Sequence, residues 1–119
     1  LGAMQAIPQV APLVEAAQGR FAFISSDLGR IGEVQSSHTW LYRVSKAALN
    51  MAVASAQHDY PQATLVALNP GWVQTDMGGD QAPLTAPESV AAMRATLARL
   101  TPAQRGQFLE RDGSPFASW

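Results

Sequence analysis

The run Ala63-Thr64-Leu65-Val66-Ala67-Leu68 is almost entirely apolar and does not alternate with polar residues. Such a run is typical of a strand that is covered on both faces, as in a parallel sheet. Another short apolar run, Arg20–Ile24, precedes it, and a third, Gly106–Glu110, follows it. Helical patterns separate the three runs. This order predicts an α/β domain with about three parallel strands and flanking helices.

Three segments carry the helical patterns. Met4–Ala17 is the first, and we expect the two prolines in it to disturb its start. Pro87–Leu100 is the last, and its proline suits the first turn of a helix. Thr39–His58 is the longest, and its apolar stripe recurs at helical spacing at Val44, Ala47, Ala48, Met51, Ala52 and Ser55.

The composition narrows the function classes. The chain has 119 residues, of which 47% are hydrophobic and 14% charged, enough apolar material for the core of one compact domain. A net charge of −1 without a basic run argues against nucleic acid and anionic membranes as partners. With no cysteine and only two histidines, there is no disulfide scaffold, no thiol nucleophile and little material for a metal site.

The apolar segment Leu1–Ala17 is the one candidate for a targeting signal. It lacks a basic beginning and carries Pro8, Pro12 and Glu15, which argues against a signal peptide. No run in the chain approaches the roughly 18 apolar residues of a membrane span. We therefore expect a cytoplasmic protein that does not associate with a membrane.

The segment Tyr42-Arg43-Val44-Ser45-Lys46 places a tyrosine and a lysine on one face of the long helix, near its start. Lys46 is the only lysine, whereas arginine occurs seven times. A nearby ammonium and the positive end of a helix both favour the phenolate of a tyrosine and so lower its pKa. A tyrosine in this setting could exchange a proton with a substrate oxygen. Alone, however, this spacing also recurs as an ordinary pair on a helix surface.

Two strand ends add to this pair. The first strand runs into Ser25-Ser26, and the second runs into the loop Asn69–Met77, which begins Asn-Pro-Gly. Parallel α/β sheets bind ligands at the carboxyl ends of their strands. A serine hydroxyl there can donate a hydrogen bond to a carbonyl, and a Pro-Gly bend lets backbone approach a ligand closely. Either feature alone is also consistent with a plain turn.

Taken in this order, the features resemble the short-chain dehydrogenase/reductase family. The matching elements are the strand ending in Ser25-Ser26, the Tyr-x-x-Ser-Lys-Ala-Ala start of the helix at Tyr42–Ala48, and the loop Asn-Pro-Gly-x-Val-x-Thr-Asp-Met at Asn69–Met77. The tail Gly106–Trp119 is similar to that of the C-factor-like, or sniffer-like, subgroup. The resemblance implies a partial Rossmann-like, doubly wound parallel sheet.

The resemblance also implies roles for the residues. Tyr42 would be the general acid/base, Lys46 would lower its pKa and hydrogen-bond the nicotinamide ribose, and Ser26 would polarise the carbonyl of a small carbonyl or alcohol substrate. The reaction implied is hydride transfer to or from NADP or NAD. The residues that would contact its nicotinamide and pyrophosphate are Pro70, Gly71, Val73 and Thr75.

The identity of the serine stays open at this point. Ser26 and Tyr42 are 16 positions apart, which is longer than the spacing usual in the family. Extra loop residues around Glu33–His38 would explain the difference. Ser25, Ser36 or Ser37 would then be alternative donors.

The chain departs from the family in one respect that bears on its function. It contains no Gly-rich phosphate-binding motif, so residues 1–119 match only the C-terminal half of the family's domain and form a single, incomplete domain. The sheet would then expose an apolar edge that invites pairing with another chain. We expect either a homo-oligomer or pairing with a separate N-terminal half; in full-length relatives the helices matching Met4–Ala17 and Thr39–His58 commonly build a dimer interface.

Four interpretations follow from this departure: a fragment of a reductase, one chain of a split pair, a short self-associating protein, or a non-catalytic oligomerising module. A hydrolase has less support, because no Gly-x-Ser-x-Gly elbow occurs. His38 and His58 are expected to be solvated rather than metal ligands, and no metal site is expected. Trp40 and Trp72 flank the predicted site and would either shape an apolar substrate pocket or have a packing role.

Overall fold

The computed structural model describes residues 2–119, so Leu1, the first residue of the apolar segment considered as a leader, lies outside the described residues. The regular elements, in chain order, are α1 (Gly2–Ala16), β1 (Arg20–Ile24), α2 (Trp40–Ala56), β2 (Thr64–Asn69), α3 (Ala86–Arg99) and β3 (Phe108–Glu110). Every predicted helix and strand is confirmed, with ends that shift by a few residues. None of the helices formed by residues 2–119 is both long and apolar enough to span a bilayer.

The three strands form one parallel sheet in the order β1-β2-β3. Arg20 pairs with Thr64 and Ile24 with Leu68, so β1 and β2 are aligned along their whole length. β3 pairs with the last half of β2. Because all strands run in the same direction, their carboxyl ends meet at one edge of the sheet.

Helices cover both faces of this sheet. Leu65 and Ala67 of β2 belong to a core cluster that includes residues of α1 and α2. Val66 and Leu68 point to the opposite face, where residues of α3 pack. All six residues of β2 are buried, which explains why its sequence does not alternate in polarity. The partial doubly wound architecture expected from the sequence is confirmed.

The prolines of α1 do not disturb its start, contrary to expectation. The helix begins at Gly2 and continues through Pro8 and Pro12. The two prolines are four residues apart, so they share one face, and both are exposed. Proline has no backbone N–H, so the carbonyl groups four residues earlier have no helical donor, and on this exposed face they can bind water instead. Ile7 and Ala11 are buried on the other face of the helix.

The apolar stripe of α2 predicted the helix correctly but is not its buried face. Val44 is 57% exposed and Met51 is 68% exposed, whereas Leu49, Asn50 and Val53 are the buried residues of the helix. A polar residue can occupy the buried face because its side chain finds a hydrogen-bond partner there. As a result α2 presents apolar side chains outward.

β1 is an edge strand in the part of the chain that the structure describes. Within residues 2–119 it pairs with β2 alone. Ile24, its last residue, is 50% exposed although it is apolar. The backbone groups on the free side of β1 are therefore available to another strand.

Candidate active site

The predicted site residues lie around the carboxyl ends of β1 and β2. The backbone N–H of Ser25 donates to the carbonyl of Leu68 at 2.8 Å, which continues the parallel ladder one residue beyond β1. The N–H of Asp27 then donates to Oδ1 of Asn69 at 3.3 Å. Ser26 therefore lies between two points that are tied to the end of β2.

Asn69 connects all three strand ends and was identified from the sequence only as the start of a loop. It is buried, and its Oδ1 accepts hydrogen bonds from the N–H groups of Asp27 and Gly71, both at 3.3 Å. Its Nδ2 donates to the carboxylate of Glu110 at 3.1 Å. An asparagine before Pro-Gly is a turn signal, and the turn bond to Gly71 is of this local kind. The links to β1 and β3 depend on the tertiary fold.

The tyrosine and lysine of α2 lie together, as their spacing predicts. Nζ of Lys46 is 5.6 Å from the centroid of the Tyr42 ring. The same Nζ donates a hydrogen bond to the carbonyl of Ile24 at 3.1 Å. Partial burial lowers the pKa of Lys46, because a charged ammonium loses water there. Lys46 thus bridges the tyrosine and the end of β1.

The four candidate serines occupy different environments. Ser25 is buried and donates a hydrogen bond to Oδ1 of Asn50 at 2.5 Å, so its hydroxyl faces the protein interior. Ser36 and Ser37 lie in the exposed part of the loop between β1 and α2. Ser26 lies at the sheet edge, where its Oγ accepts from the N–H of Leu28 at 3.1 Å. Of the four, Ser26 is the serine at the sheet edge whose hydroxyl is not bound to an interior side chain.

Within residues 2–119, no hydrogen bond joins Ser26 to Tyr42. The Ser26 hydroxyl donates instead to the carboxylate of Asp27, at the long distance of 3.4 Å. Ser26 also caps a short 3₁₀ turn, Asp27–Gly29. A weak bond to an exposed neighbour is easily exchanged for one to a ligand.

The third residue of this turn, Gly29, was not identified from the sequence as part of the site. A Cβ atom at Gly29 would lie 2.9 Å from the carbonyl carbon of Lys46 and 3.0 Å from the backbone nitrogen of Ala47. Both contacts are with the backbone of α2, which cannot move aside without disturbing the packing of the helix. The close approach allowed by glycine therefore brings the turn after Ser26 against the helix at Lys46. A Ser-Ser-x-x-Gly spacing is the sequence signal that could have identified it.

The loop that follows β2 is held by many contacts. The carbonyl of Pro70 accepts a hydrogen bond from the hydroxyl of Ser89 at 2.7 Å. Gly71 has a φ of 86°, and a Cβ there would lie 2.6 Å from Leu84. Val73 forms a β-bridge with Leu84. The predicted cofactor residues on this loop thus have fixed backbone positions at the carboxyl end of β2.

The far end of this loop is closed by its own side chains. Oγ1 of Thr75 accepts from the N–H of Gly78 at 3.0 Å, and the indole N–H of Trp72 donates to the carbonyl of Gly78 at 2.8 Å. Thr75 is exposed, and Trp72 is 59% exposed. Trp40, at the start of α2, is 58% exposed. Both tryptophans are therefore surface residues rather than core residues.

The two histidines and the loop aspartates lie on the surface. His38, His58, Asp76 and Asp80 are exposed. Within residues 2–119, no three His, Asp or Glu side chains converge as a metal site would require. The chemistry available at the strand ends is that of a phenol, an ammonium, a hydroxyl, backbone amides and the carboxylates of Asp27 and Glu110.

The sequence matches a protein family and a protein of known sequence. A family model described as short chain dehydrogenase matches residues 1–84. C-signal of Myxococcus xanthus is 40% identical over 117 residues, an alignment that covers 96% of this chain and 70% of that protein.

Two solved structures are similar over almost the whole chain. The carbonyl reductase Sniffer of D. melanogaster is 36% identical with a TM-score of 0.90, over 98% of this chain and 52% of the other. An NADPH-bound carbonyl reductase from chicken fatty liver is 32% identical with a TM-score of 0.81, over 97% and 50% of the two chains. The chain thus spans about half the length of the reductases whose fold it shares.

Proposed function

This chain belongs to the short-chain dehydrogenase family, and from that premise we propose that it carries the catalytic edge of an NAD(P)-dependent oxidoreductase. The reaction would transfer a hydride between the nicotinamide cofactor and a small carbonyl or alcohol substrate. The observation that carries this proposal is the position of Lys46. Its ammonium lies 5.6 Å from the Tyr42 ring centroid and 3.1 Å from the carbonyl that precedes Ser25-Ser26. One cation thus joins the proposed acid/base to the proposed serine segment.

The residues of this edge fit the nicotinamide end of the cofactor. An ammonium has three donors, and the bond to Ile24 uses one of them, so Lys46 can also donate to a ribose hydroxyl. Gly71 has no side chain that would keep a ligand away from the backbone. The residues that we propose to hold the cofactor are Tyr42, Lys46, Pro70, Gly71, Val73 and Thr75. When bound, NADP or NAD supplies the hydride chemistry.

The proton chemistry belongs to this chain. In the direction of reduction, the Tyr42 hydroxyl gives its proton to the substrate oxygen, and in oxidation the phenolate takes it back. The positive charge of Lys46 stabilises the phenolate between these steps. The Ser26 hydroxyl exchanges its weak bond to Asp27 for one to the same substrate oxygen and thereby polarises the carbonyl.

Substitution of the two tyrosines of the chain tests the proposal. Tyr42→Phe should abolish NADPH-dependent reduction of a panel of aldehydes and ketones while the circular dichroism spectrum stays unchanged. Tyr60→Phe is the matched control, because Tyr60 lies after α2 and packs against the core. This variant should keep the activity of the original chain. Full activity of Tyr42→Phe would show that the proposed acid/base is wrong.

A non-catalytic oligomerising module is the second candidate. It is favoured by the free side of β1, by the outward apolar side chains of α2, and by the lack of a Gly-rich phosphate motif in the sequence. Titration calorimetry of the 119-residue chain with NADPH and NADH separates the two. Micromolar binding supports the oxidoreductase, whereas no heat of binding and no turnover supports the module.

A further inference from the structure

The loop that joins the proposed serine to the proposed tyrosine has little support of its own. Between Ser26 and Trp40, where α2 begins, the chain forms two short 3₁₀ turns, Asp27–Gly29 and Ile31–Glu33, and is otherwise irregular. Residues 31–40 are exposed throughout. Ile31 is 74% exposed and Val34 is 51% exposed, so this loop does not hold itself in place by burying apolar side chains. Its position must depend on contacts with another part of the chain.

α2 supplies one of those contacts, because Nε of Arg43 donates to the carbonyl of His38 at 2.9 Å. The contacts with the side chain of Arg30 and the N–H of Gly32 come from the C-terminal segment. Nε of Arg30 donates to the carbonyl of Ser118 at 3.0 Å, and its Nη2 donates to the Ser118 hydroxyl at 3.2 Å. The guanidinium lies 4.7 Å from the centroid of the Phe116 ring. The N–H of Gly32 donates to the carbonyl of Trp119 at 3.3 Å. The same Arg30 Nη2 lies 3.4 Å from the carboxylate of Glu33, within the loop.

The C-terminal segment is itself anchored in the core. The ring of Phe116 stacks on Phe108 with 4.4 Å between centroids, and Trp119 lies 6.0 Å from the same ring. Phe108 belongs to β3 and is 4% exposed. Pro115 forms a β-bridge with Leu109, the next residue of β3. The segment therefore connects the loop to a buried strand.

Arg30 is also connected to the turn after Ser26 and, through that turn, to α2 at Lys46. Its N–H donates to the carbonyl of Asp27 at 3.0 Å and closes the 3₁₀ turn that Ser26 caps. Inside the same turn, Gly29 packs against the backbone of α2 at Lys46. A displacement of Arg30 would consequently be passed to the turn that holds Ser26 and contacts Lys46.

We propose that the C-terminal segment Ser114–Trp119 is a latch for the loop between Ser26 and Tyr42, and that Arg30 is the positioning residue at its centre. The catalytic consequence rests on the proposed function, whereas the latch itself does not. Two directed hydrogen bonds and an aromatic ring centroid at 4.7 Å suit a planar guanidinium. A lysine lacks this planar fork of donors and would not reproduce its geometry.

Backbone amide exchange, measured by NMR, tests the latch without any activity. In Arg30→Gln and Arg30→Lys, the amides of Leu28, Gly29 and Gly32 should exchange at least about tenfold faster than in the unaltered chain. Amides of β2 report global stability and should keep their rates. Arg94→Gln is the matched control, because Arg94 is an exposed arginine on α3.

Two results would overturn the latch. One is unchanged exchange at Leu28 and Gly32 in folded Arg30→Gln. The other is an equal acceleration in the loop and in β2, because Arg30 would then act on global stability rather than on the loop.

Turnover provides the second measurement. Arg30→Gln should lower kcat about tenfold at an unchanged melting temperature, since Ser26 loses its fixed position. If the unaltered chain has no turnover while the exchange result holds, the proposed function fails and the latch stands. If kcat is unchanged although the loop exchanges faster, Arg30 holds the loop without positioning the serine and that part of the proposal is wrong.

Discussion

The hydroxyl of Ser25 donates a 2.5 Å hydrogen bond to Oδ1 of Asn50, and both residues are 2% exposed. Asn50 follows Lys46 by four residues, so these two side chains lie on one face of α2. They bind consecutive residues at the end of β1, because Lys46 donates to the carbonyl of Ile24. Helix and strand are thus joined at two adjacent points, directly before Ser26.

The buried pair predicts a stability effect for Ser25→Ala. Nδ2 of Asn50 already has no hydrogen-bond partner among the described residues, and loss of the serine would leave Oδ1 without one as well. We expect the free energy of unfolding to fall by about 1–3 kcal/mol, as for other buried polar groups that lose a partner. Urea denaturation measures it. Ser55→Ala, an exposed position of α2, is the control, and an equal effect at both sites would contradict the prediction.

For Ser26, the neighbour of Ser25, we expect activity to be affected more than stability. Ser26→Ala should lower kcat for carbonyl reduction about 100-fold, a typical loss for one donor to a developing oxyanion. Stability should fall by less than in Ser25→Ala, since the Ser26 hydroxyl makes only local bonds. Ser37→Ala, in the exposed loop, should leave kcat unchanged. A large loss of kcat in Ser37→Ala instead would identify the loop serine as the donor.

Much of this arrangement could be predicted from the sequence, for a physical reason. Ser26, Lys46 and Pro70 are each placed by a local pattern: an apolar run that ends in a polar residue, or a spacing of four on a helix. Since parallel strands end at one edge, local patterns also predict that these residues lie near one another.

Other features depend on contacts that no local pattern contains. Arg30 binds Ser118, which lies 88 residues away in the chain. Asn50 is buried although it is polar, and Met51 beside it is 68% exposed although it is apolar, so the apolar periodicity does not mark the buried face of α2. α1 tolerates Pro8 and Pro12 because tertiary packing of its other face outweighs local propensity.

Gly29 predicts a steric effect on the site. In Gly29→Ala the added methyl would lie 2.9–3.0 Å from the backbone of α2 at Lys46 and Ala47, so turn and helix must separate. We expect a loss of about 1–3 kcal/mol in stability, as in other overpacked sites, together with reduced turnover. Thermal denaturation and the reductase assay measure both. Gly2→Ala, where an added Cβ meets nothing within 4 Å, should lower neither.

The partial burial of Lys46 predicts that the stability of the chain varies with pH in the alkaline range. Burial lowers its pKa in the folded chain, so the folded state releases this proton at a lower pH than the unfolded state does. Between the lowered pKa and the ordinary value for lysine, the unfolded state binds more protons, and the contribution of Lys46 to the unfolding free energy therefore increases with pH.

Lys46→Met removes this contribution. The difference in unfolding free energy between the original chain and the variant should shift in favour of the original chain as the pH rises through that interval. Urea denaturation at several alkaline pH values measures it. Because the other seven Lys/Arg residues are arginines, which stay charged there, no second lysine contributes to the difference. A difference that does not vary with pH would contradict the burial of the ammonium.

The outward apolar side chains of α1 and α2 predict self-association through this helical face. Leu13 is 71% exposed and Met51 is 68% exposed, on two helices that pack side by side in the same layer. Burying each would contribute about 1.5–3 kcal/mol, whereas a glutamate there would carry a charge into the interface. We therefore expect the double variant Leu13→Glu/Met51→Glu to sediment as a single chain at concentrations where the original chain is oligomeric.

Val90→Glu provides the control for this experiment. Val90 is 48% exposed but belongs to α3, on the opposite face of the sheet, so this variant adds a charge without altering the α1–α2 surface. It should associate like the original chain. If Val90→Glu dissociates the oligomer and the double variant does not, association uses the α3 face. If the double variant and Val90→Glu both remain oligomeric, the free side of β1 becomes the surface to test, because its unpaired backbone groups can join a second chain without these side chains.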